Sequence, residues 1–198
     1  MDEAHADLSP PARLAIAYAP KRIRPAFDLL LRFDERFAGI AAKSHEPLIG
    51  QMKLAWWRDA VRAEQAARPK GEPMLSALSY LDEPIIDRAA VALADAWEIL
   101  IAEQQWSAPA VQDFANQRGQ AISDAYSRLC GREYLRSGFM TRWGIEDLRL
   151  RFGSTVPEFA LDDVALPRAR SLRPLTILAM SVRRNSGPRL IWHALTGW

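Results

Sequence analysis

The sequence predicts an all-α, single-domain bundle of about eight helices, and three observations carry that prediction. Apolar residues recur at three- and four-residue steps along most of the chain. No segment shows the apolar–polar alternation of a half-buried strand. Prolines recur immediately before the periodic stretches, where a first helical turn tolerates a missing N–H.

The elements follow in order. Ser9 ahead of Pro10 and Pro11 marks the first helix start, and residues 1–8 are expected to be flexible. From Arg22 onward Ile23, Phe27, Leu30, Leu31, Phe37, Ala38 and Ala41 form a helical stripe that the Lys43-Ser44-His45 turn interrupts. Glu46-Pro47 opens the next helix, with Leu48, Met52, Trp56 and Ala60 on one face, to about Arg68. PKGEP at 69–73 is a breaker, followed by a brief helix over 74–81. Pro84 begins a long helix whose buried stripe is Ile86, Ala90, Leu93, Trp97, Leu100 and Ile101. Ser107 is placed as an N-cap with Pro109 in the first turn, and Gly131 as the C-terminal glycine of a helix through Val111, Phe114, Ile122, Ala125 and Leu129. Residues 132–152 read as helix with an interior Gly144, and 153–173 as mostly loop. Two last helices are expected over 174–184 and 188–196.

With 198 residues, 49% of them hydrophobic and 25% charged, the chain can bury a sizeable core, which excludes a disordered class. Seven Trp supply large anchors for cores or apolar cavity walls. The single Cys130 excludes an internal disulfide and a cysteine-rich metal site, so a reducing, cytoplasmic setting is expected. The acidic N-terminus lacks the apolar stretch of a signal peptide. The best candidate for a spanning helix, residues 91–102, is broken by Asp95 and Glu98. Net charge is +2, but residues 131–198 carry 11 Arg against 6 acids, whereas 1–130 carry 15 basic and 18 acidic residues. That excess suits a phosphate, membrane or nucleic-acid surface, but the favoured reading is a solvated face with Arg dressing helix C-termini. Nucleic acid is the weakest of these, because no helix-turn-helix or aromatic RNA-binding signature accompanies the charge.

Two stretches carry a family resemblance. The first spans residues 14–61, centred on EPLIGQMKLAWWRDAV after a YAP-containing helix, and the second is the terminal LIWHALTGW at 190–198. GFMTRWGIEDLRLRF at 138–152 is a fainter echo. In these segments the chain resembles the squalene/phytoene synthase family, whose all-α isoprenoid synthase-like fold condenses two prenyl diphosphates head to head. The resemblance implies Mg²⁺ held by two D-x-x-x-D patterns on facing helices, because i and i+4 carboxylates share a face and Mg²⁺ takes oxygen ligands.

The chain departs from that pattern. Aligned on its Phe33 helix, the first aspartate pair falls on Ala38 and Ala42, and D-x-x-x-D occurs nowhere in the sequence. Asp34 and Glu35 lie one turn earlier and point about 100° apart. Glu83/Asp87 and Glu158/Asp162 have the spacing, but one pair opens a helix and the other falls in an expected loop. Asp95 and Glu98, three apart on a long helix, are the least poor replacement carboxylates. The chain is also short for the family, as though the segment with the second pattern were missing.

Other candidates are fewer. Trp56-Trp57-Arg58-Asp59 is the most distinctive tetrapeptide: a ligand or partner surface on one reading, interhelical packing with local ion pairs on the other. Adjacent helical positions cannot share a face, so one tryptophan is expected inside and the other at the side. His193 lacks a visible partner for acid–base work, His5 lies in the tail and His45 in a turn. Arg22, Arg24, Arg58, Arg128 and Arg132 could meet a diphosphate, or simply dress solvated faces. The resulting expectation is a catalytically degenerate relative, similar to the complex I assembly factor branch, that binds a lipid, an isoprenoid diphosphate or a membrane-protein complex without a cofactor, in the cytoplasm or peripheral to a membrane. The alternatives are a residual Mg²⁺-dependent prenyl-diphosphate transferase and an interaction module with a collapsed cavity.

Overall fold

The computed structural model describes residues 8–44, 46–103, 105–132, 138–158, 160–161 and 163–183. Eight α-helices lie among them, with no strand: α1 (Pro10–Tyr18), α2 (Arg24–Lys43), α3 (Pro47–Arg62), α4 (Pro73–Leu81), α5 (Pro84–Ala102), α6 (Ala108–Leu129), α7 (Gly138–Phe152) and α8 (Arg173–Ser181). Expectations for His5, His45, His193 and the helix over 188–196 fall outside the described residues.

Proline sits at the first or second position of every helix except α7, so the chain sets where each helix begins. Side-chain caps reinforce four of these starts. Ser9 accepts from the Ala12 N–H, Glu72 from Met74, Glu83 from Ile85 and Ser107 from Ala110. Helix α6 closes as its sequence foretells. Gly131 takes φ +70°, its N–H reaches the Arg128 carbonyl at 2.8 Å, and the Arg132 N–H reaches Ser127 at 3.0 Å.

The long helices α2, α5 and α6 form the centre: α5 packs against α2, α3 and α6, α7 packs against α6, and α1 against α8. Their shared core runs from Phe27, Phe33 and Phe37 on α2 through Trp97 on α5 to Phe114 and Tyr126 on α6. Two glycines bring α6 and α7 unusually close. A Cβ at Gly119 would sit 2.7 Å from the Met140 carbonyl carbon, and one at Gly144 would sit 3.1 Å from the Ala115 Cβ.

Three expectations need correction. The helix opened by Pro47 stops at Arg62, where Ala63 turns extended, and a 3₁₀ turn at Gln65–Ala67 follows. The start of α2 is not continuous from Arg22, because Lys21–Ile23 is a 3₁₀ turn ahead of Arg24-Pro25. The stripe Leu48, Met52 and Trp56 is the solvent face of α3, with Leu48 65% and Met52 61% exposed. The helix carries two apolar stripes, and α5 takes the other, made of Gly50, Leu54, Trp57 and Val61. Gly50 has no side chain to advertise that face, yet its Cβ position lies 2.7 Å from the Ile101 Cγ2.

Candidate functional site

Charged side chains enter the core where α2, α6 and α7 meet. Arg118 of α6 is fully buried, and it occupies a position on the stripe Val111, Phe114, Ile122, Ala125 where period alone would place an apolar residue. Asp34 does the same on α2, between Leu30 or Leu31 and Phe37. A charge on an apolar stripe is the sequence signal that marks both residues, and for Arg118 it was missed because arginine ordinarily reads as solvated.

These two side chains find each other. Arg118 Nε donates to Asp34 Oδ1 at 2.9 Å and Nη2 donates to Oδ2 at 2.7 Å, a fork-to-fork pair. The Trp97 indole N–H also donates to Asp34 Oδ1 at 2.9 Å. Asp147 of α7 approaches Arg118 Nη2 at 2.7 Å. Nη1 has no hydrogen-bond partner; instead the guanidinium lies 4.1 Å from the Trp143 ring centroid and 5.3 Å from that of Trp97.

The chain of charges continues outward. Arg151 donates to Asp147 at 2.9 Å and to both Glu35 oxygens at 2.8 Å. Burial pushes the Asp147 carboxyl up, but Arg118 and Arg151 together hold it below the ordinary carboxylate value. Burial likewise opposes the charge on Arg118, and Asp34 and Asp147 outweigh it, so that guanidinium stays above its usual value. The signs alternate along the row, from Asp34 through Arg118, Asp147 and Arg151 to Glu35. A cavity of about 30 Å³ beside this row is lined by Ser9, Asp34, Glu35, Asp147 and Arg151, among others; it has room for a water molecule or two and not for a prenyl chain.

A second cluster lies between α3 and α5. Asp95 and Glu98 do share one side of α5, as their spacing implies, and Arg58 fills the space in front of them at 2.7 Å and 2.5 Å. The Asp95 hydrogen bond, against burial and with the charge of Glu98, raises Arg58 above its ordinary value.

The tetrapeptide at 56–59 is therefore divided. Trp57 is 3% exposed and meets Phe33 and Phe37 edge-on at 5.7 Å and 6.0 Å. Trp56 is 45% exposed beside Leu48, Ile49 and Met52. Asp59 is exposed, and Arg58 belongs to the α5 cluster. Ala38 is buried and Ala42 is exposed at the end of α2. Glu83 caps α5, and Asp87 pairs with Arg68 at 2.8 Å.

The residues present do not suit the Mg²⁺ that the resemblance implies. Ala38 and Ala42 offer no side-chain oxygen, and the carboxylates of the two clusters, Asp34, Glu35, Asp95, Glu98 and Asp147, already hold arginines. Among the described residues, no group of three or more His, Cys, Asp or Glu side chains is arranged to hold a metal.

Comparison with known proteins gives one family and no individual relative. No curated protein matches this sequence significantly, and no solved structure does. The family model for squalene/phytoene synthase matches residues 9–126, from the cap of α1 nearly to the end of α6, which includes the α2 and α3 segments singled out above. That is more than half of the chain, and with the all-helical architecture it establishes that the protein belongs to the squalene/phytoene synthase family.

Proposed function

We propose that this protein is a non-catalytic member of its family, which acts by binding a lipid-like or isoprenoid molecule, or by holding a membrane-protein complex during assembly. One observation carries the reading. Asp34, Glu35, Asp95 and Glu98, the replacement carboxylates that the sequence offers, and Asp147 beside them are all engaged by Arg118, Arg151 or Arg58. Ionising an allylic diphosphate needs cationic help at the leaving group, and a carboxylate already neutralised by a guanidinium has little left to offer a metal. The half-exposed Trp56 and its neighbours Leu48 and Met52 supply the partner surface in this reading. It puts the protein in the cytoplasm or against a membrane face; no described helix is long and apolar enough to cross a bilayer.

Incubation with farnesyl or geranylgeranyl diphosphate and Mg²⁺ is expected to release no pyrophosphate above the protein-free rate. Mg²⁺-dependent release would overturn the reading and restore the transferase alternative. Lipid extraction and mass spectrometry of the purified protein separate the two binding modes, because a co-purifying isoprenoid or lipid is expected only where the family cavity persists.

A further inference from the structure

Helices α2 and α8 begin in the same way, although 149 residues separate Arg24 from Arg173. Each is preceded by a 3₁₀ turn ending in a buried apolar residue, followed by Arg-Pro: Lys21-Arg22-Ile23-Arg24-Pro25 and Arg170-Ser171-Leu172-Arg173-Pro174. Ile23 and Leu172 are pinned in the core, at 4% and 6% exposure. With that anchor inside, Lys21, Arg22 and Arg170 face solvent.

Three contacts bring the two turns to one end of the bundle. The Phe27 and Tyr126 rings meet at 5.0 Å, which ties the start of α2 to the end of α6. The Tyr126 hydroxyl donates to the Ser171 carbonyl at 2.8 Å, which ties the end of α6 to the start of α8. The Arg173 guanidinium lies 5.9 Å from the Tyr18 ring, which adds the end of α1. Among the described residues, Lys21, Arg22, Arg132 and Arg170 are exposed cations at this end. Described acids on the adjoining helix turns are already engaged, Asp28 by Arg32 at 2.6 Å and Asp124 by Arg128 at 2.8 Å.

We propose that this end of the bundle docks on an anionic membrane surface, its lysine and arginines taking the phosphates of lipid headgroups. Guanidinium groups fit phosphate oxygens in pairs, which favours phosphate over a diffuse negative field. These cations stand on three separate stretches, at residues 21–22, 132 and 170, an arrangement that meets several headgroup phosphates better than one buried phosphate. Among the described residues, the large exposed apolar side chains are Leu48, Ile49, Met52, Trp56, Tyr80 and Leu150, none of them on these turns. Among the described residues of this end the attachment is electrostatic, with no apolar wedge and no aromatic platform for stacking bases. It goes beyond the proposed function, since it uses neither the buried charge row nor the α3 face and would hold for a catalytic chain as well.

Vesicle flotation tests it. The full-length protein should float with vesicles of phosphatidylcholine mixed with phosphatidylglycerol, stay behind with phosphatidylcholine alone, and be released by salt. Each basic residue near an anionic surface is worth about a five-fold change in partitioning, so Arg22→Gln/Arg170→Gln should lose about 25-fold. The thermal melt of that variant should match wild type, because both side chains are exposed. Lys53→Gln on α3 should leave binding unchanged. Equal flotation with both vesicle types, or wild-type binding by the double variant, would overturn the proposal. So would tight binding of inorganic pyrophosphate or duplex RNA by a protein that ignores anionic vesicles.

Discussion

Substituting Arg118→Met removes the guanidinium but leaves Asp34 and Asp147 buried against apolar rings, and the expected cost is about 3–5 kcal/mol. A urea midpoint shift at unchanged slope would show it. Adding Asp34→Asn should cost much less than the two single changes summed, because the second removes a charge that the first has stranded. The tryptophan pair gives a contrast on a single helix. Trp57→Ala empties a site packed by Phe33 and Phe37 and is expected to cost about 3–5 kcal/mol. Trp56→Ala, half in water, should cost less than about 1 kcal/mol by the same measurement. Helical spacing alone says that one tryptophan turns inward and the other does not. Which one turns inward is decided by α5, whose Ile101 closes onto Gly50, and a glycine leaves no apolar mark in the sequence.

Between elements, the closest approach is that of α6 and α7 at Gly119. Gly119→Ala puts a methyl group 2.7 Å from the Met140 backbone, which cannot rotate away as a side chain tip would. The helices must separate, and Arg118, one residue earlier, then loses its reach to Asp147. The expected loss is about 1–3 kcal/mol from overpacking, with more if the ion pair opens; hydrogen exchange should show it as faster opening of α7 than of α5. Helix starts were legible because proline and capping residues act locally: Ser9, Ser107 and Pro84 do in the structure what their neighbours in sequence imply. The buried charge row was not. It depends on residues 84 positions apart, Asp34 and Arg118, and no local rule connects them. The end of α3 was misplaced for a similar reason, since nothing in the sequence from 62 to 68 forbids another helical turn.

For the whole molecule, the depressed Asp147 carboxyl contributes stability that acid removes. A carboxyl held below its unfolded value adds stability above that value, and the contribution disappears as pH falls through the folded value. Acidification below about pH 4 is therefore expected to destabilise the fold, and Asp147→Asn should flatten that acid limb in melts taken across pH. Asp87 has the opposite sign: burial raises its carboxyl against the pull of Arg68, so its contribution is present at low pH and is lost as pH rises. The all-helical class was readable from period and proline placement, since both recur from α1 through α6, the stretch that holds the longest and best-marked helices. The family was legible in the α2 and α3 segments, whereas the proposed loss of catalysis rests on the expectation that the family's first aspartate pair falls on Ala38 and Ala42.

The buried row of alternating charges has a further consequence, in the thermodynamics of linkage. A fold whose interior carboxylates are balanced by a dissociable ion gains stability with the logarithm of that ion's activity, and so inherits the mineral supply of its surroundings. Here the balancing cations are tethered at Arg118 and Arg151 through the peptide chain, at an effective concentration that no dilution changes. Chelators and added magnesium should leave the melting temperature where it stands. The protein carries its counter-ions as part of its own covalent structure.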